Sequence, residues 1–151
     1  MNETTTKTRA RVSYMELIDD RTRSEYTGGI FGSAFSLVVE PNVFGWANKL
    51  SDDYNGGYWR FFKLFGNPEH PGFLMTPQAG QVYKVEAPNQ WSGEMNARQF
   101  GITCCLYTYS NLSFGSSIPG RECGNQYHLL REWMFDNMDS DSITAILGAI
   151  D

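Results

Sequence analysis

The stretch DDYNGGYWRFFKL, Asp52 to Leu64, sets two adjacent glycines between a pair of acids and a run of aromatic and aliphatic side chains. Such a stretch fits either a glycine loop that cradles a phosphate or a corner that feeds a buried strand. The residues before it favour the corner. Asn42 is a candidate N-cap for a short helix in which Val43, Trp46, Ala47 and Leu50 recur at helical spacing. Gly56 or Gly57 is then the positive-φ residue that leaves the helix, not the centre of a hairpin. Neither this stretch nor TGGIFGS, Thr27 to Ser33, contains G-x-x-x-x-G-K-[ST] or G-x-G-x-x-G, and neither leads from a strand into a helix.

The run after the corner, YWRFFKLF, is apolar on both alternations, which predicts a strand covered on both faces and central in its sheet. GFLMTP and QVYKVEAP follow, separated by turn residues, so strands are expected near 58–65, 73–76 and 81–87 as an antiparallel meander. In the third, Tyr83 and Val85 face one way and Lys84 and Glu86 the other.

Next comes the strongest helical signal of the chain, over 97–113. Asn96 and Gln99 form a capping box, and Phe100, Cys104, Tyr107, Asn111 and Phe114 recur at steps of four and three. Its other faces are nearly uncharged, so it is expected to be buried almost all round as a spine across the sheet. A further helix is expected over 121–138 with Cys123, Tyr127, Leu130, Met134 and Met138 as its apolar stripe. Ser140 is the expected cap of a last short helix. Segment 13–41 mixes a short apolar patch and a β-branched run with glycines, and leaves strand and helix both open. The fold class is therefore α+β: a small antiparallel β-meander packed against several α-helices in a single domain, 13–151, preceded by a polar, flexible N-terminal tail, 1–12. Trp59 and Phe100 are expected in the core.

Composition narrows the function. The chain has 151 residues, 41% hydrophobic and 15% aromatic. At that length one domain buries about 70% of its unfolded surface. No run of about 18 apolar residues and no signal-peptide h-region is present, so a cytoplasmic protein without membrane contact is expected. Three cysteines, two of them adjacent, predict buried reduced thiols with neither a C-x-x-C nor a metal set. His70 and His128 have no ligand or acid at catalytic spacing, and no cofactor or metal is expected.

Five of the 17 acids (Glu132, Asp136, Asp139, Asp141 and Asp151) lie beyond the last basic residue, leaving 12 acids against 12 bases before them. The whole net charge of -5 thus sits at the C-terminal end. A neutral body offers no basic footprint, so strong nucleic-acid binding is not expected. Imitation of duplex DNA, at one charge per about 1.7 Å, would need far more carboxylates. Asp136, Asp139, Asp141 and Asp151 are candidate partner contacts, although acids beside a helix start also serve the helix itself. Glu94, between a glycine corner and a helix start, is a further candidate, either as a contact or as the carboxylate base of a small enzyme.

The blocks DDYNGGYWRFFKL, GFLMTP, WSGEMNARQFGITCCLYTYSNLSF, YHLLREW and the terminal AID resemble, in order, those of the ArdB/KlcA antirestriction proteins of mobile elements, over about 46–151. The GNPEHPG turn is longer than that family's usual turn, and Asn96 stands where Ser is common. The resemblance implies protection of incoming mobile-element DNA from host type I restriction-modification systems, without nuclease or methyltransferase activity. The implied partner is the restriction machinery or a host factor linked to it, met directly or indirectly.

Overall fold

The computed structural model describes residues 13–115 and 118–151. The expected tail, 1–12, lies outside them. The segment left open between strand and helix, 13–41, supplies three elements. Strand β1 (Tyr14–Leu17) is followed by helix α1 (Asp20–Phe31), whose N-cap Asp19 accepts the Thr22 N–H at 2.7 Å. A π-helical turn (Phe35–Val39) then runs directly into helix α2 (Glu40–Leu50). Asn42 is therefore inside a helix and is not its cap: the π turn supplies the start, Pro41 occupies the first turn, and the Asn42 amide donates to Val38 O at 2.8 Å.

The corner is as expected, with φ of 90° at Gly56 and 109° at Gly57. It lies in the loop beyond the helix and not at the cap, because α2 stops at an extended Ser51. Strand β2 (Trp59–Leu64) is central in a three-stranded antiparallel sheet, between β1 and β3 (Gly72–Pro77), with Phe61 opposite both Leu17 and Met75. Arg23 ties α1 to this sheet through hydrogen bonds to Leu17 O (2.9 Å) and Trp59 O (3.0 Å).

The third strand of the expected meander pairs elsewhere. Strand β4 (Tyr83–Glu86) forms a separate hairpin with β5 (Ser92–Met95), a strand that lies where the sequence reading has only a glycine corner before the helix. The cause is that the outer edge of β3 is already closed by helices. The Phe73 N–H donates to Gln126, Tyr109 OH donates to Phe73 O at 2.8 Å, and the Cys105 thiol donates to Met75 O. Tyr83 and Val85 are buried and Lys84 and Glu86 exposed, as the alternation requires.

Helix α3 (Ala97–Ser113) carries the expected capping box and is buried on nearly every face. It touches β3, α2 and the two later helices, α4 (Ile118–Asn137) and α5 (Ser140–Ile150). Phe114 departs from the expectation: it lies just past the helix at the chain's turn and is 86% exposed. Trp59 and Phe100 are core residues at 3% and 0% exposure; Phe100 stacks on Tyr83 with centroids 4.4 Å apart, and the Trp59 indole N–H donates to Tyr54 OH. Among the described residues no helix is long and apolar enough to cross a membrane.

Trp59→Ala and Phe100→Ala are each expected to lower stability by about 3–5 kcal/mol in equilibrium urea unfolding. Gly101→Ala decides between two effects of opposite sign. Helix propensity favours Ala by about 1 kcal/mol. A Cβ there would lie 2.7 Å from the backbone of Met75 and Thr76, so the variant is expected to unfold at lower urea than the parent, and an increase would show that α3 can lift off β3 freely.

Candidate functional site

The β2–β3 turn and the last two turns of α4 enclose a groove with a charged wall. Asn67 shapes the turn, its side-chain oxygen accepting the N–H groups of Glu69 (2.9 Å) and His70 (3.1 Å). The opposite wall is fixed by Trp133, 5% exposed, whose indole N–H donates to Ser13 O at 2.8 Å. The same carbonyl accepts the Phe65 N–H, so Ser13 binds the strand to the helix. Between these walls a narrow slot of about 50 Å³ opens into a shallow recess of about 770 Å³. Phe65, Leu129 and Trp133 give the slot an apolar side; Glu132 and Asp136 give it an acidic one.

The sequence-predicted residues fall in different places. Asp136 lines the groove. Asp139, and not Ser140, caps α5, accepting the Ser142 hydroxyl at 2.6 Å and its N–H at 3.1 Å. The correction has a simple cause, since the longer Asp side chain one residue earlier reaches the third N–H of the helix. The Ser142 hydroxyl first, then its N–H, hold the Asp139 carboxyl below the usual carboxylate range. Asp141 is exposed in the first turn of α5, while Asp151 closes the other end of that helix, about 15 Å along its axis. Glu94 is exposed on β5 opposite Lys84, and is not at a helix start. The structure thus groups Asp136, Asp139 and Asp141 at the α4–α5 corner and sets Asp151 and Glu94 apart. Glu132, Leu129, Trp133 and Phe65 belong to the groove and were not singled out as site residues; the legible signal was the (i, i+4) pair of acids with no base after it.

The fold accounts for some of these acids and not for others. Asp139 and Asp141 stand at a helix N-terminus, where negative charge is favoured. Asp136 stands in the last turn of α4, where the helix dipole disfavours it, and Glu132, one turn earlier on the same face, repels it. Neither forms a salt bridge among the described residues, whose two ion pairs are Arg21–Glu25 and Arg60–Glu16.

The thiols offer no nucleophile. All three cysteines are fully buried and unpaired; burial pushes Cys105 and Cys123 up to about 12 and Cys104 well above its ordinary value, so each stays protonated at neutral pH. A second recess, about 330 Å³ between α1 and the π turn, has Arg23 in its wall, but that guanidinium is occupied by two backbone carbonyls.

Comparison with known proteins gives a consistent picture. The profile of a family described as antirestriction protein matches residues 52–151, which contain all of the groove except Ser13. An antirestriction protein KlcA of Escherichia coli is 26% identical over 140 residues, covering 89% of this chain and 92% of its own. The uncharacterised protein YfjX of Escherichia coli K12 is 29% identical over 114 residues, covering 74% of this chain and 71% of its own. A solved structure superposes with a TM-score of 0.72 at 24% identity, over 95% of this chain and 99% of the other. It comes from work on KlcA and ArdB, proteins described as having a novel fold and antirestriction activity against type I DNA restriction systems in vivo but not in vitro.

Replacing Glu132 by Gln and Asp136 by Asn is expected to raise stability by about 0.5–1 kcal/mol at low salt, from relieved repulsion and dipole strain, with the gain shrinking as salt rises. Asp139→Ala is expected to lower the melting temperature. A carboxyl lowered in the folded state stabilises above the carboxylate range, and that contribution is lost as pH falls through its folded value. The parent should therefore lose its advantage over Asp139→Ala on acidification; a pH-independent gap between the two melting curves would contradict the capping role.

Proposed function

The chain belongs to the antirestriction protein family, and from that premise we propose that it protects incoming mobile-element DNA from host type I restriction-modification systems by binding a protein, in the cytoplasm, without catalysing a reaction. The observation that carries this reading is the family match over residues 52–151, supported by the likeness of the whole fold to that of proteins described with that activity.

The charge distribution favours a protein as the bound species. Seventeen acids against 12 bases, with the excess confined to one end, are far from the charge density of a duplex. The described activity of the solved relatives, present in vivo and absent in vitro, suits an indirect route through a further cellular component. The partner is then the restriction machinery or a host factor that serves it. The enzyme reading rests on Glu94 as a carboxylate in a cleft, and Glu94 is instead exposed on an outer strand face.

In a strain with an active type I system, expression of this chain is expected to raise the plating efficiency of unmodified phage. Purified protein is expected to show no nuclease, methyltransferase or ATPase activity. Unchanged restriction at good soluble expression would overturn the proposal.

A further inference from the structure

From the walls of the groove we infer that it takes an arginine side chain, and with it a short basic segment, of a protein partner; this rests on the binding-protein reading above and names the chemistry of the contact. The slot of about 50 Å³ is too small for a folded element or for a whole side chain by itself, and only together with the adjoining recess of about 770 Å³ does it leave room for one extended side chain. Its apolar side, Phe65, Leu129 and Trp133, suits the methylene stem of a long cation. Its acidic side, Glu132 and Asp136, places two carboxylates one helical turn apart, about 5–6 Å between Cβ atoms. That spacing matches the planar fork of a guanidinium, which bridges carboxylates and lies flat on aromatic rings, better than it matches the point charge of a lysine.

Charge complementarity decides the sign of the occupant. The ionisable groups facing the groove and its recess are Glu132, Asp136, Glu69, Lys63 and His70. Lys63 lies over the rings of Tyr26 and Phe65, at 5.5 and 5.6 Å from their centroids, so a cation already rests on one of the groove's aromatics. With His70 neutral the set carries -2, and Glu132 and Asp136 are held one turn apart, the second also against the helix dipole, without a salt-bridged cation among the described residues. An incoming arginine would relieve that repulsion. The aromatic-and-acid pairing is the kind of desolvated contact that anchors interfaces.

The test uses the full chain, ¹⁵N-labelled, titrated with the peptide acetyl-Ala-Leu-Arg-Ala-amide and with its citrulline counterpart, which keeps the shape and lacks the charge. Expected are saturable shifts at the Trp133 indole N–H and at backbone residues 64–72 and 129–137. Binding should weaken about ten-fold for citrulline and for an E132Q/D136N chain, the loss of one charge-assisted contact. The charge-matched variant D52N/E86Q, whose acids are exposed elsewhere, should bind like the parent. Equal binding of citrulline, undiminished binding by E132Q/D136N, or shifts confined to other regions would overturn the inference. So would binding seen only after K7Q/R9Q/R11Q, which would assign the groove to the chain's own basic segment, or the same shifts on concentrating the protein alone, which would assign it to a second copy. In restricting cells E132Q/D136N should lose protection that D52N/E86Q keeps. Full protection by E132Q/D136N would sink the groove and leave antirestriction standing, whereas no protection by the parent would sink the antirestriction reading while the peptide titration still reads the groove.

Discussion

Helix α3 lies on strand β3 at a distance that only a glycine allows. A Cβ on Gly101 would sit 2.6 Å from the Thr76 side chain and 2.7 Å from both the Met75 carbonyl oxygen and the Thr76 Cα, closer than real Cβ atoms approach backbone. One and two turns on, Cys105 and Tyr109 face the same strand and bond its outward carbonyls at Met75 and Phe73. Gln126 of α4 completes the closure by accepting the Phe73 N–H and donating to Pro71 O. The sheet therefore ends at β3, and the chain that emerges from it must pair with itself, as β4 with β5. This close approach limits the large sheet, creates the second hairpin and positions α4, and through α4 it forms one wall of the groove.

Local features of the fold were legible where the physics is local. The Asn96–Gln99 capping box, the two-faced strand 59–64 and the alternation of Tyr83 to Glu86 need only neighbouring residues. Segment 13–41 was not legible, because what stabilises it is distant. Gly28 and Gly29 weaken α1 on propensity alone, yet the helix is held by Arg23 on Trp59 O and by Tyr26 OH on Gly72 O, contacts 36 and 46 residues apart in sequence. The partner of β4 was invisible for a related reason: alternation reveals which face is buried and says nothing about which edge is free. The groove combines both cases. Glu132 and Asp136 are readable as a pair, but Phe65 meets Trp133 only because both bond to Ser13 O, 120 residues from Trp133.

The last helix is fixed by contacts to the second hairpin and to the spine helix. Trp91 occupies space that a side chain on Gly93 or Gly148 would fill, the nearest ring atoms lying 2.6 Å from either hypothetical Cβ. Asn89 donates to Gly148 O, Tyr107 to Ala149 O at 2.6 Å, and Gln99 to the Ser142 hydroxyl, so α5 is held at both ends. Tyr107 is itself stacked on Trp46 with centroids 4.3 Å apart. The hairpin and the spine thus fix the C-terminus, and the position of Asp151 follows from packing that involves no partner.

This divides a run of acids that composition alone presents as one feature. Helix dipoles reverse sign across the α4–α5 corner: α4 ends there with its negative pole and α5 begins with its positive one. Asp139 and Asp141 gain from the second; Asp136 loses to the first and is repelled by Glu132 one turn earlier. Folding stability by itself would place Lys or Arg in the last turns of α4, and the chain instead places two carboxylates beside an aromatic wall. A cost of this kind, about 0.3–1 kcal/mol for a charge in the last turn of a helix, is small against the stability of a domain. It is offset when a cation enters, because the same field that destabilises the free helix strengthens the bound contact. The feature that sets the groove apart from the rest of the acidic surface is therefore an energetic asymmetry of the fold and not the number of acids.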